Sequence, residues 1–138
     1  MTDRIIVDTG PLIALLDSDS NLHERTVKIW KAVGLPALTC EAVLTEATFL
    51  LQRDQLQPDA LYELLHCGAL KIGIALSEHS QDIRALMKRY RNIPMSLADA
   101  SLVRLSELNP RHRLFTFDSD FQIYRKHGNK VIPVLSVR

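Results

Sequence analysis

Two runs of the chain, Ile5-Ile6-Val7-Asp8 and Leu114-Phe115-Thr116-Phe117-Asp118, stay mostly apolar over consecutive residues instead of alternating with polar ones, and each stops at an aspartate. A strand with apolar side chains on both faces must be covered on both faces, which is the situation of a parallel sheet flanked by crossover helices. Similar short runs bounded by Gly, Pro, Asp or Ser recur, so strands are expected at 4–7, 37–39, 70–74, 113–117 and 131–135. The intervening segments carry 3.6-residue periodicity and predict helices at 11–16, 23–33, 41–53, 59–67, 78–91, 97–108 and a short one at 121–127. Strands alternating with helices predict an α/β fold with a central, mostly parallel sheet of about five strands. Ligands of such sheets bind in the crevice outside the carboxyl ends of the strands.

With 138 residues, 46% hydrophobic and 24% charged, the chain is expected to form one domain over 1–138 that buries about two-thirds of its unfolded surface. There is no low-complexity linker and no internal repeat. No apolar run approaches the roughly 20 residues of a membrane span, and MTDRIIVDTG lacks the layout of a secretion signal, so a cytoplasmic, soluble protein without membrane contact is expected. Cys40 and Cys67 have no metal-site spacing and read as two small buried hydrophobes. A net charge of +1 neither supports nor excludes a nucleic-acid partner, because electrostatic footprints depend on clustering.

Four acids occur where a strand ends or a helix begins or turns inward. Asp8 and Asp118 end apolar strands, although each also precedes a helical segment and reads equally as an N-cap. Glu46 lies three residues after Val43 and four before Leu50, on the stripe expected to face the protein; the alternative is an edge position that reaches water. Asp99 completes an S-x-x-D capping box with Ser96, yet it precedes Leu102 and Val103 by three and four and so belongs to the buried side of its helix. Caps would be scattered, whereas a site converges. Two carboxylates about 4 Å apart repel by about 4 kcal/mol at an effective dielectric of about 20. A shared proton or a divalent cation relieves this, and oxygen ligands without His or Cys suit Mg²⁺ or Mn²⁺ rather than zinc. Magnesium held by a few carboxylates keeps positions for phosphate oxygens, which points to phosphodiester chemistry.

The opening IIVDTGPLIALLD, the inward Glu46, SLADASLV and above all TFDSDF resemble the signatures of PIN-domain nucleases, particularly the VapC-type toxin ribonucleases, in order and spacing over residues 4 to about 135. The resemblance implies a three-layer α/β/α sandwich and an acidic quartet at Asp8, Glu46, Asp99 and Asp118 that binds one or two Mg²⁺ or Mn²⁺ ions and is catalytic. It assigns supporting roles to Thr9, Thr116 and Asp120. Gly10 stands where many members carry Ser or Asn. The implied activity is endonucleolytic hydrolysis of RNA leaving a 5′-phosphate. The implied partners are RNA, a small antitoxin protein and a second copy of the chain.

Two basic clusters, Lys88-Arg89-Tyr90-Arg91 and Arg111-His112-Arg113, are candidates for RNA contact, with a helix C-terminus as the alternative for the first. The five histidines show no ligand or triad spacing, and the stripe Val27, Ile29, Trp30, Val33 reads as helix packing. Three other readings compete. A receiver-like phosphoacceptor domain would need adjacent acids after the first strand and a Lys ending a late strand, but Asp8 stands alone and Lys130 precedes its strand. A haloacid-dehalogenase-type phosphatase would need an Asp at position 10, which is Gly10. A non-catalytic PIN-like module that binds RNA or protein would not need all four acids.

Overall fold

The computed structural model describes residues 2–135. Five strands form one all-parallel sheet. At its centre is β1 (Arg4–Val7), where Ile5, Ile6 and Val7 are all buried, as a strand covered on both faces requires. Its neighbours are β2 (Gly34–Thr39) and β4 (Arg113–Phe115), with β3 (Leu70–Ile72) outside β2 and β7 (Val134–Leu135) outside β4.

Six helices flank this sheet: α1 (Thr9–Leu16), α2 (His23–Ala32), α3 (Glu41–Arg53), α4 (Asp59–His66), α5 (Leu76–Arg89) and α6 (Leu97–Leu108). Helix α1 packs on α2 and α3, and α5 packs on α6. The α6 helix is buried around much of its circumference, and small residues (Ala98, Ala100, Ser101) at its start allow close approach. The three-layer α/β/α arrangement expected from the sequence is therefore present. The chain builds β1, β2 and β3 outward in one direction, then returns through α5 and α6 to β4 on the other side of β1. The order reverses between β1 and β4, and the crevice beyond their carboxyl ends is where such a sheet accommodates a ligand.

Three departures from the sequence reading have local causes. The strand β2 starts at Gly34 rather than 37, and the pairing shifts from Arg4↔Gly34 to Ile6↔Leu38. That irregularity accommodates Pro36, which has no N–H for a ladder. No helix forms at 121–127: a 3₁₀ turn spans Ser119–Gln122, followed by an antiparallel pair β5 (Arg125–Lys126) and β6 (Lys130–Val131). Phe121 and Tyr124 are both fully buried, and a spacing of three suits a 3₁₀ turn as well as an α-helix. His127 at φ 50 and Gly128 at φ 84 then turn the pair back on itself. The expected strand at 131–135 is split by Pro133: Val131 belongs to β6, and the parallel strand begins at Val134.

Of the two cysteines, both free, Cys40 is buried as expected, but Cys67 is exposed at the end of α4, where its thiol donates to Leu64 O at 3.5 Å. The side chains of Ile29, Trp30 and Val33 pack partly buried against the core.

Candidate carboxylate-rich active site

The β1–β4 ladder continues one residue past β1, because the Asp8 N–H donates to Phe115 O at 3.0 Å. Asp8 also caps α1: its Oδ1 accepts the Thr9 N–H at 2.7 Å, while its Oδ2 accepts the Thr116 hydroxyl at 2.8 Å. The Thr116 Oγ1 accepts the Asp118 N–H at 3.0 Å, so one hydroxyl ties the first acid to the loop carrying the last. Asp118 is exposed and caps the 3₁₀ turn, its Oδ1 accepting the Asp120 N–H at 2.9 Å. Asp99 is half-buried in a complete capping box, with Ser96 N–H donating to its Oδ2 at 3.0 Å and its own N–H donating to Ser96 Oγ at 3.0 Å.

Capping and convergence turn out to be compatible. Asp8, Glu46, Asp99 and Asp118 all line a single cavity of about 440 Å³. Each of the three aspartates is held by a hydrogen bond within its own turn, and that fixes the carboxylate at the cavity wall. Glu46 reaches the cavity from an edge position, the second of the two readings that the sequence left open. The buried stripe of α3 is Val43, Leu44, Ala47 and Leu51, and Glu46 is exposed beside it. Asp120 does not line the cavity; it sits behind Asp118 through the hydrogen bond just described, and its charge acts on Asp99.

The electrostatics are dominated by burial rather than by the mutual repulsion that the sequence suggests. Burial pushes the Asp8 carboxyl up to about 6, against the hydrogen bonds of Thr116 and Thr9, and the charges of Asp99 and Glu46 add to it. Asp99 is raised for the same first reason, opposed by Ser96 and reinforced by Asp118 and Asp120. The nearby Tyr124 hydroxyl, which donates to Pro94 O at 3.1 Å, is also raised, by burial and then by Asp99, Asp120 and Asp118.

Among the described residues no Lys or Arg lines the cavity, and none of the salt bridges involves the four acids. Three arginines of the basic clusters have partners elsewhere: Arg113 pairs with Asp3 at 3.0 Å and donates to Val134 O, Arg91 donates to Lys88 O, and the Arg89 guanidinium lies 5.4 Å from the Tyr90 ring centroid. The Thr9 Oγ1 is buried without a hydrogen-bond partner, although Thr9 lines the cavity. An orphaned hydroxyl and four uncompensated carboxylates fit an oxygen-ligated hard cation with attendant water. Among the described residues no three acids are drawn together tightly enough to hold an ion by themselves. An ion held there would take one or two of these carboxylates and complete its shell with water and phosphate oxygens, as Mg²⁺ commonly does.

The sequence reading did not single out Ser96, Leu50 or Phe117 as cavity residues. Leu50 follows Glu46 by four, so the two share a helix face, a signal that was present in the spacing. Gly10 also has a packing role. A Cβ there would lie 3.0 Å from Phe117 Cδ2, so the glycine leaves room for that ring where a side chain would crowd it.

A family model described as the PIN domain matches residues 5–126. Among solved structures, VapC20 of Mycobacterium tuberculosis, described as a sarcin-ricin loop cleaving toxin, is similar with a TM-score of 0.71. The likeness covers 86% of this chain and 93% of that one at 20% sequence identity, and it shows the shared fold. No curated protein matches the chain in sequence.

Proposed function

The chain belongs to the PIN domain family, and on that premise we propose that it is a divalent-metal-dependent endoribonuclease, a single unit over 1–138 that hydrolyses RNA phosphodiester bonds with Asp8, Glu46, Asp99 and Asp118. The observation that carries the reading is the convergence of these four acids on one cavity that no Lys or Arg lines among the described residues. Asp8, Asp99 and Asp118 would hold one or two Mg²⁺ or Mn²⁺ ions directly or through water, and Glu46, an exposed acid on the cavity wall, would complete the shell or orient the attacking water. A bound ion supplies a water of lowered pKa and neutralises charge on the phosphate.

The chain's own residues supply position. Thr9 and Thr116 fix the two oxygens of Asp8, Ser96 fixes Asp99, and the Asp120 N–H fixes Asp118. Each bond limits rotation of a carboxylate while leaving lone pairs free for a ligand, so little reorganisation is needed when substrate arrives. Hydrolysis by water requires no covalent enzyme intermediate.

A toxin role with a small antitoxin partner, and a homodimer, belong to the same proposal; the fold shared with VapC20 supports the first. Among the described residues no helix is long and apolar enough to cross a membrane; cytoplasmic RNA as the substrate is part of the same proposal. Product analysis separates this reading from a phosphoacceptor domain. Incubated with Mn²⁺ and single-stranded RNA, the protein is expected to release fragments bearing 5′-phosphates. Uptake of phosphate on one aspartate from a small phosphodonor, without RNA fragments, would assign it to the receiver class instead.

A further inference from the structure

Phe117 sits between two residues committed to the acidic cavity. Thr116 on one side binds Asp8 and the Asp118 N–H, and Asp118 on the other lines the wall. Phe117 lines the same cavity, only partly buried, with its ring braced edge-on by Phe115 at 5.8 Å and 83°. Gly10 opens the space the ring occupies, since a Cβ would come within 3.0 Å of Phe117 Cδ2. Leu50 is the other large apolar side chain on the cavity wall. An aromatic ring left partly uncovered in a cavity of carboxylates keeps apolar surface in water that a ligand could cover.

We propose that Phe117 is a specificity-determining residue that stacks against the nucleobase next to the phosphate held by the acids, with Leu50 as a second apolar contact. The inference rests on the ribonuclease reading for the identity of the ligand. Unpaired bases stack on aromatic side chains whatever their sequence, and paired bases in a duplex cannot. The site is thereby assigned to RNA with an unpaired nucleotide beside the scissile bond. Bracing by Phe115 matters, because a ring already fixed loses little freedom on binding.

The test is a cycle between protein and RNA. A single abasic nucleotide is stepped through a single-stranded RNA, and binding is measured in Ca²⁺ by anisotropy for the parent, Phe117→Ala and Phe117→Trp. At one position the abasic change is expected to weaken parental binding by roughly 5- to 100-fold. Phe117→Ala should weaken binding of intact RNA by a similar factor and be insensitive to the abasic change at that position. Phe117→Trp should restore both binding and sensitivity. Full multiplication of the two losses, or an alanine variant that binds intact RNA as the parent does, would overturn the inference and leave Phe117 as core packing. Binding with the expected pattern but no cutting in Mn²⁺ would instead sink the nuclease reading and keep the stacking contact.

Discussion

Replacing Asp8 by Asn is expected to make the metal-free protein more stable. In the folded state the carboxyl is pushed up from 3.8 to about 6, burial being the first cause. Between those values the native state holds the proton more often than the unfolded chain does. Stability therefore falls as pH rises through that window, and above it the ionised Asp8 costs about 3 kcal/mol. Asparagine removes the charge and keeps an oxygen for the Thr9 N–H. Its amide, however, must donate to the Thr116 hydroxyl that now donates to Asp8, leaving that hydroxyl proton without its partner. Subtracting about 1 kcal/mol for that bond leaves a gain of about 2 kcal/mol at pH 8, or roughly 6 °C in Tm. Thermal unfolding in EDTA measures it directly, and the gain should shrink as pH falls and turn into a loss of about 1 kcal/mol below about pH 3, where the parental acid is protonated in both states. Saturating Mn²⁺ should reverse the order, because an ion that binds only the folded parent stabilises it by mass action. An Asn variant less stable than the parent in EDTA at pH 8 would mean that the buried charge is compensated by a partner the cavity does not show.

Asp99 combines two roles that two substitutions can separate. Asp99→Asn keeps an oxygen to accept the Ser96 N–H, so the capping box survives while the charge goes. Asp99→Ala removes both and should cost about 1 kcal/mol of stability for the lost cap. Both variants are expected to lose at least about 100-fold in metal-dependent RNA cleavage, on the scale of removing one preorganised electrostatic contact. Stability and activity thus part company: unfolding distinguishes Asn from Ala, and cleavage does not. Were Asp99 only a cap, the Asn variant would cut at the parental rate.

What the sequence revealed and what it hid follow from how local each signal is. The end of β1 was legible because an apolar run that halts at an acid marks a buried strand leaving the sheet; β4 ends at Phe115 rather than at the expected 117, and parallel pairing with β1 still leaves Asp8 and Asp118 on one cavity. The Asp99 capping box was legible because its partner is three residues away. Glu46 was found with two orientations left open, and the edge position is the one observed, since the buried stripe of α3 is set by its packing against α1 and α6 as well as by its own periodicity. Phe117 escaped because an apolar residue at a strand end looks like core until the surrounding space is known. The stretch after Asp118 misled because residues three apart satisfy a 3₁₀ turn and an α-helix alike, and only Phe121 and Tyr124 docking into the interior decides between them. The folding of the segments after Lys126 depends on a turn at His127 and Gly128 whose positive φ values no hydrophobic pattern encodes.

The decisive measurement is cleavage of an end-labelled single-stranded RNA by the parent and by Asp118→Asn, each assayed with Mn²⁺ and with EDTA. The parent should cut with the metal alone, and the variant, whose backbone contacts to Thr116 and the following turn are preserved, should cut in neither condition. Parental cleavage in EDTA, or an Asp118→Asn variant as fast as the parent, would contradict the assignment of these acids to a single metal-dependent centre.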